Sequence, residues 1–260
     1  MNKTICIGLL VAALPITGYS PDARSAAKNN PDELLEITTP EAGIHNPGEA
    51  DELTDIQSRE LKKQKPEELF MRGMACERGE GVVMDQAEAL EWYHMAAERG
   101  HVPAQLRLGH MYTDGIGTEK NYPEAVKWWE KAAHRGNAEA QYNMGAMCYL
   151  GEGVKKDYKK SATWYRKSAD QGYAKAQYNL ARMYHDGLGV KQDFDKAIKW
   201  WKKAAEQGHP RAQYNLGAMY HNGTGLEKNT AMAKEWFKKS CDNGLQEGCD
   251  AYRELVKGGY

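Results

Sequence analysis

The sequence contains few side chains whose type and spacing could perform catalysis. The segment Ser25-Ala26-Ala27-Lys28 is its only match to Ser-x-x-Lys, the pattern in which a serine nucleophile of β-lactam-acting enzymes lies beside a lysine. It precedes any stretch able to form a packed core, so nothing there could position a base or an oxyanion hole. We attribute this match to chance and predict no catalytic residue.

Three histidines are the next candidates, as metal ligands. His110, His185 and His221 recur on one type of predicted helix, and the last two occupy equivalent positions. Equivalent residues on packed helices lie about 10 Å apart, which is too far to share one zinc ion without carboxylates such as Asp186. We expect no metal and no cofactor.

The glycine pairs raise the possibility of phosphate binding and the charged residues that of nucleic-acid binding, and the sequence argues against both. The Gly-x-Gly loops could cradle phosphate, but none is followed by a Gly-Lys-Ser/Thr cluster, so they are interpreted as helix breakers. Acidic and basic residues balance at 36 and 35, without a sustained basic face. Nucleic acid requires clustered lysine and arginine. We expect no nucleic-acid partner.

A period of 36 residues dominates the chain after residue 65. It relates five tryptophans, each followed by a second large aromatic residue: Trp92, Trp128, Trp164, Trp200 and Trp236. The same spacing relates five single glycines, five Gly-x-Gly pairs and a series of Asp or Asn residues. Internal repeats of this length indicate a stacked repeat protein.

One copy, residues 101–136, shows what the unit must be. Apolar residues at helical spacing predict a first helix, which Gly115 and Gly117 end. Asn121 is suited to cap a second helix, which carries Trp128. Neither helix can bury its apolar face alone, so the copies must stack. The sequence therefore predicts an all-α protein, a right-handed α-solenoid of helix–turn–helix repeats.

The expected domain boundaries follow from this period. A lysine before a short apolar run predicts a signal peptide at residues 1–25, hence a periplasmic or secreted protein, with no membrane span after its removal. Retention of this segment as an uncleaved membrane anchor is the alternative. Residues 26–65 are acidic and poor in large apolar residues, which predicts a disordered or partly helical linker. The repeats are predicted at 66–100, 101–136, 137–172, 173–208 and 209–244, with a capping helix at 245–257 and a tail at 258–260.

These motifs resemble one known family. The string Ala140-Gln141-Tyr142-Asn143-Met144-Gly145, the loop that begins at Gly151, and the Trp164 to Gly172 segment are similar to the Sel-one-like repeat family. That family is a branch of the tetratricopeptide superfamily, and the resemblance covers roughly residues 66–257. It implies an interaction module, because members are mostly adaptors or binders, although fold alone does not fix function.

The cysteines are interpreted with the help of that resemblance. Cys241 and Cys249 are eight residues apart, as in the cysteine-rich, secreted members of the family, and this implies a disulfide between a second helix and the next first helix. Two buried free thiols are the alternative. Cys76 and Cys148 lie two repeats apart, too far to pair, and are expected to be packed thiols.

The resemblance also implies which residues face the inner groove of the solenoid. The candidate partner-binding residues are Tyr142, Tyr149, Tyr178, Arg182, His185, Tyr214 and His221. A ladder of three stacked tyrosines, Tyr142, Tyr178 and Tyr214, would suit a peptide or an amphipathic helix. The alternative is that these tyrosines recur because they pack repeat on repeat. Asn143, Asn179 and Asn215 are expected to bond the backbone of the adjacent turn.

The leading hypothesis is an exported, monomeric, non-enzymatic module that binds a protein partner in this groove. An adaptor, a scaffold and an immunity-type binder are all compatible with it. One alternative is a hydrolase acting on cell-wall or β-lactam substrates, as implied by the cysteine-rich branch. The other is a passive structural spacer.

Overall fold

A computed structural model describes residues 63–258, which contain α-helices and no β-strand. The first helices of the five repeats are α1 (Pro66–Arg78), α3 (Val102–Asp114), α5 (Ala138–Leu150), α7 (Ala174–Asp186) and α9 (Pro210–Asn222). The second helices are α2 (Gln86–Glu98), α4 (Tyr122–His134), α6 (Tyr158–Asp170), α8 (Phe194–Glu206) and α10 (Thr230–Asp242). The chain then forms α11 (Gln246–Lys257), the predicted capping helix.

Each helix packs against its neighbours in sequence, which confirms the all-α solenoid. Local signals set the helix bounds. The Asn121 side chain accepts a hydrogen bond from the Glu124 amide at 3.1 Å and so caps α4. Gly115 ends α3 in the left-handed conformation, at φ 76°. Equivalent residues act in the same way in the other repeats.

Small residues on the first helices let the aromatic residues of the second helices pack closely. A Cβ atom at Gly109 would lie 2.2 Å from Nε1 of Trp129, so only glycine fits there without a shift. Gly145 meets Tyr165 in the same way, and Ala181 occupies the position in the fourth repeat, fully buried. The aromatic residues are therefore buried inside each hairpin as well as between hairpins.

Four buried glutamines join each repeat to the one before it. The side chain of Gln141 donates to the carbonyl oxygen of Ala133, which lies eight residues earlier at the end of α4, at 3.1 Å. The same bond recurs at Gln105, Gln177 and Gln213, at 3.0 to 3.2 Å. The sequence analysis missed this ladder, although the 36-residue spacing of these glutamines marks it.

The last junction uses a covalent bond at the same two positions. Cys241 and Cys249 form a disulfide between α10 and α11, as the family resemblance implied. They lie 36 residues after Ala205 and Gln213, the hydrogen-bonded pair of the preceding junction. Cys76 and Cys148 are buried thiols that take no part in a disulfide, as predicted.

Several predictions fall on residues outside the described range. These are the signal peptide at 1–25, the linker up to residue 62, the Ser25–Lys28 motif and the last two residues of the tail. Within residues 63–258, no helix is long and apolar enough to cross a membrane.

Candidate functional site

Five of the seven candidate residues line two neighbouring pockets on the face formed by the first helices. The upstream pocket lies between α5 and α7, has a volume of about 240 Å³ and is lined by Tyr142, Tyr149 and Arg182 among others. The downstream pocket lies between α7 and α9, has a volume of about 340 Å³ and is lined by Tyr178, Arg182 and His185 among others. We call the surface that carries both pockets the groove.

The two pockets are the same site repeated one period apart. Each of the ten residues lining the upstream pocket has its counterpart, 36 positions later, in the lining of the downstream pocket. The upstream residues are Tyr142, Ala146, Tyr149, Leu150, Tyr165, Asn179, Arg182, Met183, Asp186 and Leu188. Arg182 and Asp186 line both pockets, so they form the boundary between them.

Tyr214 and His221 lie outside both pockets. Tyr214 packs on Phe237, with ring centroids 5.3 Å apart, and belongs to the cluster that buries the C-terminal cap. Nδ1 of His221 is buried and has no hydrogen-bond partner in the described part of the chain. The cap α11 thus covers the last repeat at the positions where the preceding repeats form pockets.

The predicted ladder of stacked tyrosines is replaced by other ring contacts. Among the described residues, Tyr142 contacts the rings of Tyr165 and Tyr173, at 5.7 and 5.3 Å. Tyr178 stacks on His209, with ring centroids 4.6 Å apart. The tyrosines therefore pack between repeats, and two of them also line the pockets.

Asn179 has a role that the sequence analysis did not predict. It lines the upstream pocket and hydrogen bonds to the phenol groups of Tyr142 and Tyr165. The predicted bond to the backbone of the adjacent turn is not formed by Asn179 in the described part of the chain. Burial raises the pKa of both phenols, and the bonds from Asn179 oppose this only in part. Both tyrosines are therefore neutral hydrogen-bonding groups at physiological pH.

Of the titratable groove residues Arg182, His185 and Asp186, two are bonded to each other and the third is not. His185 bonds to Asp186 at 2.7 Å. Arg182 is exposed and has no hydrogen-bond or salt-bridge partner within residues 63–258. Nε1 of Trp201, in the lining of the downstream pocket, is buried and also has no acceptor in that range. The site thus holds an unpaired cation and an unsatisfied buried donor.

No group of three or more His, Cys, Asp or Glu side chains in residues 63–258 is arranged to hold a metal ion. His110 instead lies 3.2 Å from Glu139, and His185 bonds to Asp186. What the groove offers is surface for recognition: aromatic and aliphatic side chains upstream, and polar donors downstream.

The described part of the chain stacks five helical hairpins, and two pockets open on the face formed by the first helices. This arrangement defines a tetratricopeptide-like solenoid, a class of interaction modules. The Sel1 repeat profile matches five consecutive segments: 69–101, 102–137, 138–173, 174–209 and 210–245. The chain therefore belongs to the Sel1 repeat family, whose members are typically interaction scaffolds rather than enzymes.

Two solved structures resemble this chain over most of its length. One is a protective antigen of uropathogenic Escherichia coli with an SLR fold: 36% identity, TM-score 0.72, covering 77% of this chain and 43% of that one. The other is a Sel1 repeat protein from Oxalobacter formigenes: 34% identity, TM-score 0.69, covering 75% of this chain and 78% of that one. This chain thus matches less than half of the antigen. None of the curated proteins matches it.

Proposed function

We propose that this protein is an exported adaptor, scaffold or immunity-type binder that holds a protein partner in the groove on α5, α7 and α9. The observation that carries the proposal is the pair of equivalent pockets that meet at Arg182. A repeated site of this kind suits an elongated partner segment, because successive side chains of the segment can enter successive pockets.

The lining of the groove supports binding to protein. Tyrosine and arginine are enriched among the residues that dominate the energetics of protein interfaces, and Tyr142, Tyr149, Tyr178 and Arg182 all line it. Half-buried tyrosines offer a large apolar area with a polar tip at low entropic cost. Leu150 adds apolar surface, since 52% of it is exposed.

The location we propose is the periplasm or the exterior of a bacterial cell. Two observations support it: the apolar run after Lys3, and the Cys241–Cys249 disulfide, since structural disulfides persist in oxidising compartments. Fractionation with an epitope tag at the C-terminus tests it. Recovery of a shortened chain in the periplasm or medium is expected, and a full-length chain confined to the cytoplasm would contradict it.

A pull-down from envelope extract tests the binding proposal. The bait is the exported chain, compared with Arg182→Glu in the groove and Lys202→Glu on the exposed side of α8, which makes the same charge change. We expect a partner that is retained by the unaltered chain and by Lys202→Glu but lost from Arg182→Glu. Retention by all three baits would place binding outside the groove. The absence of any specific partner would favour a spacer.

A further inference from the structure

The unpaired side chain at the boundary of the two pockets constrains the chemistry of the occupant. Arg182 is exposed, lines both pockets and has no hydrogen-bond or salt-bridge partner within the described residues. Its equivalents in the neighbouring repeats are Ala146 and Ala218. The groove therefore carries one guanidinium group, flanked by small residues that leave space for a ligand to reach it.

The downstream pocket surrounds this group with polar side chains, most of which can donate a hydrogen bond. Trp201 is 3% exposed, and its Nε1–H has no acceptor in the described part of the chain. Asn215 and Thr224 line the same pocket. Asp186 is its one acidic side chain, and it is bonded to His185 at 2.7 Å. The Nε1 atom of Trp201 is covered by protein, so the donor that a ligand can reach at this boundary is the exposed Arg182 guanidinium. An anionic oxygen suits Arg182.

The upstream pocket has a different chemistry. At the positions of His185, Asp186 and Thr224 it has Tyr149, Leu150 and Leu188. The phenol groups of Tyr142 and Tyr165 are hydrogen bonded to Asn179, so they do not require a charged group from the ligand. Apart from Arg182 and Asp186, which the upstream pocket shares with the downstream pocket, its remaining surface is aromatic and aliphatic, which suits a bulky apolar side chain.

The spacing of the pockets sets the spacing of the ligand groups. Equivalent positions on packed helices are separated by about 8 to 10 Å. A polyproline II chain advances about 3.1 Å per residue with three residues per turn, so residues three apart lie on one side, about 9 Å from each other. A chain of this kind can fill both pockets at once.

We infer that the groove binds an extended acidic segment of a partner protein, with a bulky apolar side chain in the upstream pocket and an Asp or Glu carboxylate, three residues away, against Arg182. This inference rests on the function proposed above and specifies its partner. An uncharged segment or a basic segment leaves the Arg182 guanidinium without an anionic partner.

Selection from a random peptide library displayed on phage tests the inference. The immobilised baits are the unaltered chain, Arg182→Glu and the control Lys202→Glu, each checked for helical content by circular dichroism. We expect the unaltered chain and Lys202→Glu to enrich peptides with an acidic residue three positions from a large apolar one. Arg182→Glu should instead enrich a basic residue at the acidic position, because the charge at the boundary is reversed.

A synthetic peptide of the enriched sequence then measures the contact itself. Changing its acidic residue to the corresponding amide should weaken binding to the unaltered chain by about tenfold or more, and should change binding to Arg182→Ala much less.

The outcomes separate the two proposals. Peptides that are enriched without an acidic residue, or that are the same for the unaltered chain and Arg182→Glu, overturn the acidic-segment inference while leaving groove binding intact if Tyr149→Ala abolishes their capture. Peptides insensitive to both substitutions, or no enriched peptide at all, overturn groove binding together with the inference.

Discussion

The upstream and downstream pockets have the same architecture but differ in chemistry at several equivalent positions. Their lining positions correspond one for one at a spacing of 36 residues, so the backbone that shapes them is the same. Ala146, Tyr149 and Leu150 upstream become Arg182, His185 and Asp186 downstream. The comparison teaches that a repeat fold can supply a series of equivalent sites while single side chains set the specificity of each one.

The floors of the two pockets are large buried rings, and the ring and its polar group should contribute differently to stability. Trp201 fills the downstream floor and Tyr165 the upstream floor, both almost fully buried. Trp201→Ala should lower the free energy of unfolding by about 3 to 5 kcal/mol, because it leaves a large cavity. Tyr165→Phe should cost only about 1 kcal/mol, since it keeps the ring and removes one hydrogen bond. Urea titration followed by circular dichroism measures both. A loss of about 1 kcal/mol or less for Trp201→Ala would contradict its role as the floor of the downstream pocket.

The downstream pocket also lies nearer to the terminal junction, where the disulfide stands in place of a glutamine bond. Replacing both cysteines by serine should destabilise the α10–α11 junction by about 2 kcal/mol, because the closed loop is short.

The pair Cys241→Ala and Cys249→Gln recreates the residues of the preceding junction. It should recover about 1 kcal/mol relative to the serine pair. Urea titration of the three proteins compares them. If the Ala–Gln pair is no more stable than the serine pair, the two junctions are not equivalent.

Replacing the equivalent asparagine in each pocket tests whether hydrogen bonding stabilises the upstream pocket more than the downstream pocket. Asn179→Ala should lower the free energy of unfolding by about 1 kcal/mol, because the buried phenols of Tyr142 and Tyr165 lose a partner. Asn215→Ala, the same change downstream, should stay within about 0.5 kcal/mol. Thermal unfolding of the two variants gives the comparison directly. A larger loss of stability for Asn215→Ala than for Asn179→Ala would show that the stabilising asparagine lies in the downstream pocket.

The aromatic ring that packs on each groove tyrosine differs between the two pockets, and this predicts a small difference in how each pocket's contribution to stability depends on pH. Tyr142 packs on Tyr173, whereas Tyr178 stacks on His209, the equivalent residue 36 positions later. Burial lowers the pKa of His209 from its ordinary value of 6.5, so the unfolded chain binds more protons just below that pH. Stability contributed by neutral His209 is therefore complete above about pH 6.5 and is lost as the pH falls below it.

His209→Asn keeps a side chain able to cap α9, as Asn137 caps α5, and removes this titration. The variant should show a smaller fall in stability between pH 7 and pH 5, by less than about 1 kcal/mol. The half-buried His94 and His101, whose pKa values are also lowered by desolvation, will retain part of the slope. The midpoints of urea unfolding, measured for both proteins between pH 7 and pH 5, show whether the slope changes. An unchanged slope would mean that His209 does not contribute.

The features that could be predicted from the sequence are those that depend on local pattern. The glycine at position 115, the cap at Asn121 and the spaced tryptophans each act within one hairpin, so their period sufficed to give the fold. The family resemblance supplied the disulfide and the face on which Tyr149 and Arg182 lie.

The features that could not be predicted depend on several helices at once. Whether Tyr178 lines a pocket is decided by residues from α7, α8 and α9 together. Tyr214 was grouped with the groove residues by its repeat position, but its neighbour is the cap α11 rather than a sixth repeat. The glutamine ladder could not be predicted because the burial of a polar side chain depends on both repeats that enclose it; Gln105, Gln141, Gln177 and Gln213 are at most 5% exposed.

Methionine methyl groups offer the most direct measurement of the central claim, because Met183 lines the upstream pocket and Met219 the downstream pocket. Met95 and Met232 lie on the second helices α2 and α10 and serve as controls. The chain, labelled with ¹³C at its methionine methyl groups, is titrated with its selected peptide and followed by NMR. We predict that the signals of Met183 and Met219 shift together while those of Met95 and Met232 stay in place. Shifts at Met95 or Met232, with Met183 and Met219 unchanged, would contradict binding in the groove.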